Sequence, residues 1–148
     1  MRALLQRVRE ASVDVENARV AHINEGLCAF IGITHDDTRE NVEKMAKKIA
    51  TMRVLRSLDG NDEKRMSSIA KKTPLLLVSQ FTLYGSTKKG TRPSWNLAAP
   101  GKIAEPLFNE LVACLHEKYE LEVHTGVFGA MMDVHITNDG PFTLLIET

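Results

Sequence analysis

Positive charge is not in excess in this sequence: 19 lysines and arginines face 19 aspartates and glutamates. That balance excludes the global positive field with which a protein grips nucleic acid regardless of sequence, so any contact with RNA must be local. Cysteine is scarce too. Cys28 and Cys114 lie far apart in apolar surroundings, with no CxxC pair and no histidine at ligand spacing, which excludes a zinc site built on them and predicts two reduced core thiols. His22, His35, His116, His124 and His135 show neither HxxxH nor HExxH spacing, and His135 alternates with Val134 and Ile136 as a solvent-facing strand residue does. Gly126, Gly129 and Gly140 do not form the glycine-rich loop that cradles phosphates after a strand, which argues against ATP or dinucleotide chemistry. No stretch approaches the ~20 apolar residues that cross a bilayer, and residues 1–7 contain no apolar signal core. A soluble, cytoplasmic protein is expected, with no membrane partner, no metal and no cofactor.

What is present suits one core. With 148 residues, 43% of them hydrophobic, the chain has material for a single domain over 1–148 and too little length for two. Apolar alternation predicts short strands at 3–8 and 12–15, then at 20–23 and 27–33 after a Glu25-Gly26 turn. Asp37 with Glu40 three residues later reads as a capping box, and Val42, Met45, Ala46, Ile49 and Met52 follow at helical spacing, predicting a helix over 38–55. Asp59-Gly60-Asn61-Asp62 signals a turn, and the apolar run 74–78 reads as a strand buried on both faces. A loop over 85–101 precedes a second helix, 103–119, with Ile103, Leu107, Leu111, Cys114 and Leu115 on its apolar face. Strands are predicted again at 123–127, 131–137 and 142–147, the last two joined as a hairpin through Asn138-Asp139-Gly140-Pro141. The order predicts a layered α/β domain with two main helices, its extra strands forming a second β-sheet or a partial barrel.

Two segments could carry chemistry. In Ser79-Gln80-Phe81-Thr82-Leu83 a buried apolar strand acquires two hydroxyls and an amide at its C-terminal end, where ligands bind in α/β sheets. The plainer role of Ser79 and Thr82 is to satisfy backbone groups as the strand ends. A serine-hydrolase elbow is absent around Ser79. The second segment is Asn138-Asp139-Gly140-Pro141-Phe142-Thr143, whose Gly-Pro bond the base rate makes trans. Lys88, Lys89 and Arg92 form the best candidate RNA patch, whereas Lys44, Lys47 and Lys48 read as the solvated face of the first helix.

Taken together, these segments resemble the D-aminoacyl-tRNA deacylase family. The opening Met1-Arg2-Ala3-Leu4-Leu5-Gln6-Arg7-Val8, the central SQxTL motif at Ser79 to Leu83, Lys89-Gly90-Thr91-Arg92-Pro93-Ser94, Gly126-Val127-Phe128-Gly129-Ala130-Met131 and the NxGPxT motif at Asn138 to Thr143 occur in the family's order and spacing. The resemblance implies hydrolysis of the ester joining a D-amino acid, or glycine mischarged on an alanine tRNA, to the tRNA 3′ end. It implies a homodimer in which a cis Gly140-Pro141 reaches into the partner's active site and excludes L-amino acids by steric collision, a filter blind to side-chain identity. By motif position, Ser79, Gln80, Phe81 and Thr82 line the catalytic pocket, Phe128 packs near the adenine, Arg7 holds the Gly-Pro loop, and Asn138 and Met131 complete the substrate site. Backbone N–H groups of residues 79–82 would stabilise the oxyanion while the ribose 2′-hydroxyl assists a water. Thr82 as a covalent nucleophile is the competing mechanism, and no general base is evident to activate it.

The chain departs from the family pattern at Lys64-Arg65-Met66-Ser67-Ser68, at Trp95, where phenylalanine is common, and at His22, where glycine is usual. Some relatives are described as DNA-unwinding-element binding proteins with a C-terminal extension. The end of this chain at Thr148 and its zero net charge rank that reading second. A freestanding relative of the threonyl-tRNA synthetase editing domain would lack the Asn138-Asp139-Gly140-Pro141 motif, and Ser79 with Phe81 places the chain in the D-specific branch rather than the one with relaxed chirality.

Overall fold

A computed structural model describes residues 1–56, 73–88 and 90–148. The turn expected at Asp59-Gly60-Asn61-Asp62, the 64–68 departure and Lys89 lie outside the described residues.

The two short strands expected at the start are one, β1 (Arg2–Val15). Along its first half Ala3, Leu5 and Arg7 are buried on one face; after a register shift between Val8 and Glu10, Ala11 and Val13 pack with Val8 in a second cluster on the other side. Glu16 and Asn17, both at positive φ (49° and 64°), reverse the chain into β2 (Ala18–Ile23), as a two-residue hairpin turn requires. β3 (Gly26–Gly32) then pairs antiparallel with the first half of β1.

Helix α1 (Arg39–Thr51) begins one residue later than predicted and with a different cap. The backbone N–H of Thr38 donates to Asn41 Oδ1 at 3.0 Å. Asp37 is occupied elsewhere: its carboxylate accepts from the Met1 ammonium at 2.5 Å and from the Thr34 N–H at 2.7 Å. The helix stops at Thr51 because Met52 is extended, with ψ 127°. The apolar pattern that suggested residue 55 continues because Val54 and Leu55 are buried in the following loop.

Strand β4 (Leu75–Ser79) is parallel to both neighbours, β3 and β5 (Val123–Thr125), and is buried on both faces as its composition requires. Leu75 and Leu77 face the helices, and Leu76 and Val78 face the second cluster. Helix α2 (Gly101–Glu117) buries Ala104, Phe108, Leu111 and Leu115; of the stripe expected, Leu111 and Leu115 are fully buried, Leu107 and Cys114 pack half-buried against the core, and Ile103 is exposed. Cys28 is a core thiol that burial pushes up to about 12, and Cys114 is half-buried with its thiol also raised, chiefly by burial.

The expected C-terminal hairpin is absent. Both runs belong to one strand, β6 (Asp133–Glu147), antiparallel to β1 along most of its length. Because both runs pair in the same direction with the same neighbour, the chain does not reverse at Gly140-Pro141. It bulges. Of the second sheet or partial barrel expected for the extra strands, the structure has the latter: one mixed six-stranded sheet joined through β1, with β2 folding back toward β4 and β5 so that it nearly closes into a barrel. One core lies between this sheet and the two helices, and the other lies inside the curl.

Leu77 is fully buried in the central strand, so Leu77→Ala is expected to lower stability by about 2–5 kcal/mol, read from urea unfolding midpoints. A loss below about 1 kcal/mol would show that the β4 layer does not carry the core.

Candidate active site

The C-terminal end of β4 opens into a cavity of about 460 Å³. Its wall on one side is Val78, Ser79, Gln80 and Phe81; on the other it is Gly101 and Ala104 of α2, and the loop Phe128 to Met132 crosses the mouth. An end of a parallel strand is a place where side chains and backbone groups converge without a further strand to cover them. Gly129 adopts φ +74°, a left-handed conformation that costs glycine little, and a hydrogen bond from Ala130 N–H to Val127 O at 3.2 Å closes the turn. That turn presents the Phe128 ring, 6.0 Å from Phe108, to the cavity. Met131, 92% exposed, stands at the rim. Met132, Ala99, Gly101 and Ala104 also line the space, and sequence reading missed them because small and apolar residues carry no chemical signal.

The chain leaves β4 through a short 3-10 helix, Phe81–Tyr84. Gln80 N–H is committed to Ile31 O at 2.7 Å, and the first donor inside the 3-10 helix is Leu83, to Gln80 O at 3.3 Å. The N–H groups of Phe81 and Thr82 therefore precede the helix's own hydrogen bonds, as first-turn amides do. This removes Gln80 from the oxyanion donors expected among residues 79–82. Thr82 itself is exposed and is not among the residues lining the cavity. Its hydroxyl accepts a hydrogen bond from the Gln80 side-chain amide, which is a donor and not a general base.

Asn138, Gly140 and Pro141 form a second cluster, and none of them lines the cavity. Asn138 pairs with Val8 and Thr143 with Gln6, so residues 139–142 of β6 stand opposite Arg7 alone. The Gly140-Pro141 bond is cis, as the family resemblance implies and against the base rate. Arg7 is buried and holds this bulge from within: it donates to Asp139 O at 3.2 Å, Gly140 O at 3.3 Å and Val54 O at 3.2 Å, with its guanidinium 4.6 Å from the centre of the Phe142 ring. Asn138 fixes the near end by donating to Arg7 O at 2.8 Å and Phe142 O at 3.3 Å.

Asp139 is the counter-ion of this cluster. Arg56 binds its carboxylate through two nitrogens, at 2.7 and 2.9 Å, Arg7 Nε lies 2.9 Å away and Arg9 Nε 3.7 Å. The Arg56 hydrogen bonds hold the Asp139 carboxyl below the usual aspartate value against the opposing effect of burial, and the charges of Arg7, Arg56 and Arg9 add to the lowering. Arg56 carried no sequence signal, since it lies outside both motifs.

Residues 4–147 match the model of the D-Tyr-tRNA(Tyr) deacylase family. The chain belongs to this family. Among curated members, the D-aminoacyl-tRNA deacylase of Streptomyces coelicolor is 51% identical over 148 residues and that of Mycobacterium avium 48% over 150, each alignment covering 99% of both chains. Among solved structures, the c-Myc DNA unwinding element binding protein superposes with a TM-score of 0.91 at 39% identity, covering 100% of this chain and 99% of that one. A probable eukaryotic D-amino acid tRNA deacylase gives a TM-score of 0.86 at 15% identity over 99% and 98% of the two chains, a likeness of fold alone. In this deacylase-family chain the two diagnostic motifs thus occupy two separate places, one at the cavity and one at the β6 bulge.

A carboxyl whose pKa is depressed by folding adds stability above its unfolded value and loses it as pH falls through the folded one. Asp139→Asn should therefore be less stable than the parent by about 1–3 kcal/mol at pH 7, with the gap closing as pH drops below about 4. Thermal unfolding of both proteins across that range checks this, and a pH-independent gap would contradict the ionic role.

Proposed function

We propose that this protein is a D-aminoacyl-tRNA deacylase. It hydrolyses the ester joining a D-amino acid, or glycine mischarged on an alanine tRNA, to the terminal ribose. The observation that carries the reading is the cavity at the end of β4, lined by the Ser79, Gln80 and Phe81 part of the SQxTL motif in a chain that aligns over nearly its whole length with curated deacylases. Its size suits a nucleoside with a small appendage.

In this reading Phe128 packs on the adenine, and Ser79, Gln80 and Met131 surround the ribose and aminoacyl group. A water oxygen adds to the ester carbonyl carbon, and the N–H groups of Phe81 and Thr82 bind the oxyanion. The bond from that carbon to the ribose 3′-oxygen then breaks, the 2′-hydroxyl relaying the proton from water to the leaving oxygen. Free amino acid and tRNA leave. An aminoacyl ester is activated enough that positioning and oxyanion binding suffice, and no cofactor enters.

Chirality comes from the β6 bulge. The carbonyls of Gly140 and Pro141 from a second copy would confront the α-carbon, leaving room for hydrogen or a D side chain and none for an L side chain. Arg7 and Asn138 serve the filter by fixing the bulge rather than by touching the substrate. That Gly140-Pro141 and the cavity lie apart within one chain supports a homodimer with the loop inserted in trans. The rival reading, a DNA-binding module, is favoured by the likeness to the c-Myc DNA unwinding element binding protein.

Single-turnover deacylation of D-tyrosyl-tRNA and L-tyrosyl-tRNA distinguishes the two. The D ester should be cut and the L ester spared, and Thr82→Ala should retain turnover within about tenfold, whereas loss of a covalent nucleophile costs on the order of a millionfold. Neither ester cut at high enzyme concentration would leave the DNA-binding module as the better account.

A further inference from the structure

The cavity accounts for a terminal adenosine and its amino acid, but a tRNA end continues as a single strand. Beside the mouth, Trp95 and Phe81 meet edge to face, ring centroids 5.4 Å apart at 75°. Trp95 is 43% and Phe81 55% exposed, so the indole and the phenyl ring both show surface to solvent. The indole is not free to wander. It lies so close over Gly85 that a Cβ there would sit 2.6 Å from its Cζ3. The loop that carries it is anchored at several points: Ser86 and Ser94 exchange backbone hydrogen bonds at 2.8 and 2.9 Å, and the carbonyls of Asn96 and Leu97 accept from His35 and Thr34 at 3.1 and 2.6 Å.

Charge in this region departs from the neutrality of the whole. Between Glu63 and Glu105 the sequence contains no carboxylate, and every ionised side chain in that interval is a lysine or arginine. Of these, Lys88, Arg92 and Lys102 are exposed on the segments flanking Trp95. A fixed aromatic pair beside a cavity, with cations and no anions in its loop, has the composition of a single-stranded nucleic acid platform, where bases stack and phosphates find positive charge.

We propose that Trp95, braced by Phe81, stacks a base of the single-stranded RNA just 5′ to the terminal adenosine, with Lys88 and Arg92 drawing in its phosphates. The assignment rests on the deacylase reading and adds a nucleotide subsite to it. It gives the enzyme a grip on tRNA that tolerates any amino acid in the filter.

The test uses two non-hydrolysable probes: adenosine carrying D-tyrosine through a 3′-amide, and the trinucleotide CCA ending in the same group. Trp95 is the only tryptophan, so intrinsic fluorescence reports on this place alone. The trinucleotide should quench it and bind the parent more tightly than the nucleoside probe. By calorimetry, Trp95→Leu, which keeps apolar bulk against Phe81, should weaken trinucleotide binding roughly 5- to 100-fold and leave the nucleoside probe's affinity unchanged. Trp95→Phe should restore most of the difference. Replacing Lys88 and Arg92 with alanine should flatten the salt dependence of trinucleotide binding, lowering the log–log slope by about 0.7 for each phosphate that is no longer neutralised. Equal weakening of both probes by Trp95→Leu would reduce Trp95 to a packing support for Phe81 and overturn the proposal, as would no weakening of either. If the nucleoside probe fails to bind the parent, the deacylase reading itself falls, and this subsite with it.

Discussion

The pairing of β6 along β1 is the constraint on which the rest depends. An antiparallel ladder demands one residue opposite one, and between Gln6 and Val8 the chain offers four residues of β6 to Arg7 alone. The surplus must leave the sheet. Where it leaves, its carbonyls would have no ladder partners, and the buried Arg7 supplies donors to two of them. The Arg7 side chain belongs to the same inward series as Ala3 and Leu5, so a guanidinium enters a position that the strand's alternation reserves for an apolar group. Its burial is tolerable because Asp139 supplies the opposite charge and three carbonyls accept its protons.

The same sheet sets the cavity. β4 is buried on both faces and ends where β3 and β5 give it no further cover, so its exit through Gln80 leaves backbone donors at the first turn of a 3-10 helix. The cavity and the bulge are rigid in different ways. At the cavity the rigidity is that of the packed end of a parallel strand; at the bulge it is that of a lattice of charge-assisted hydrogen bonds around Asp139. The filter proposed for the bulge would need both, since a loop free to move aside would admit either hand of amino acid.

Much of this was legible in the sequence, and the failures have physical causes. β4 was read correctly as a strand buried on both faces, because a short, continuous apolar run has few other uses. The helix ends were misplaced where burial continued beyond the helix, at Val54 and Leu55, and where Asp37 gave its carboxylate to the N-terminal ammonium instead of the helix. The C-terminal hairpin was inferred from turn-forming residues that instead form a bulge; local sequence cannot tell these apart, because the difference is which strand lies alongside. At the candidate site the motif residues Ser79, Gln80, Phe81, Phe128 and Met131 do converge on the cavity, while Thr82 does not line it. Arg56 was invisible because a lone arginine at the end of a loop has no pattern, and only the fold brings it to Asp139.

Whether the bulge of one chain serves the cavity of another is decided by complementation between two defective proteins. One carries Gln80→Ala with Phe81→Ala and keeps the loop; the other carries Gly140→Ala with Pro141→Ala and keeps the cavity. Each is co-expressed with the other under separate affinity tags, and the mixed species is assayed for hydrolysis of D-tyrosyl-tRNA and L-tyrosyl-tRNA. The cavity-defective parent should cut neither ester and the loop-defective parent should cut both, whereas the mixed dimer should cut the D ester and spare the L ester, because its one intact cavity faces the intact loop of the other chain. A mixed dimer that cuts both esters, or no mixed dimer at all, would show that the bulge does not act in trans.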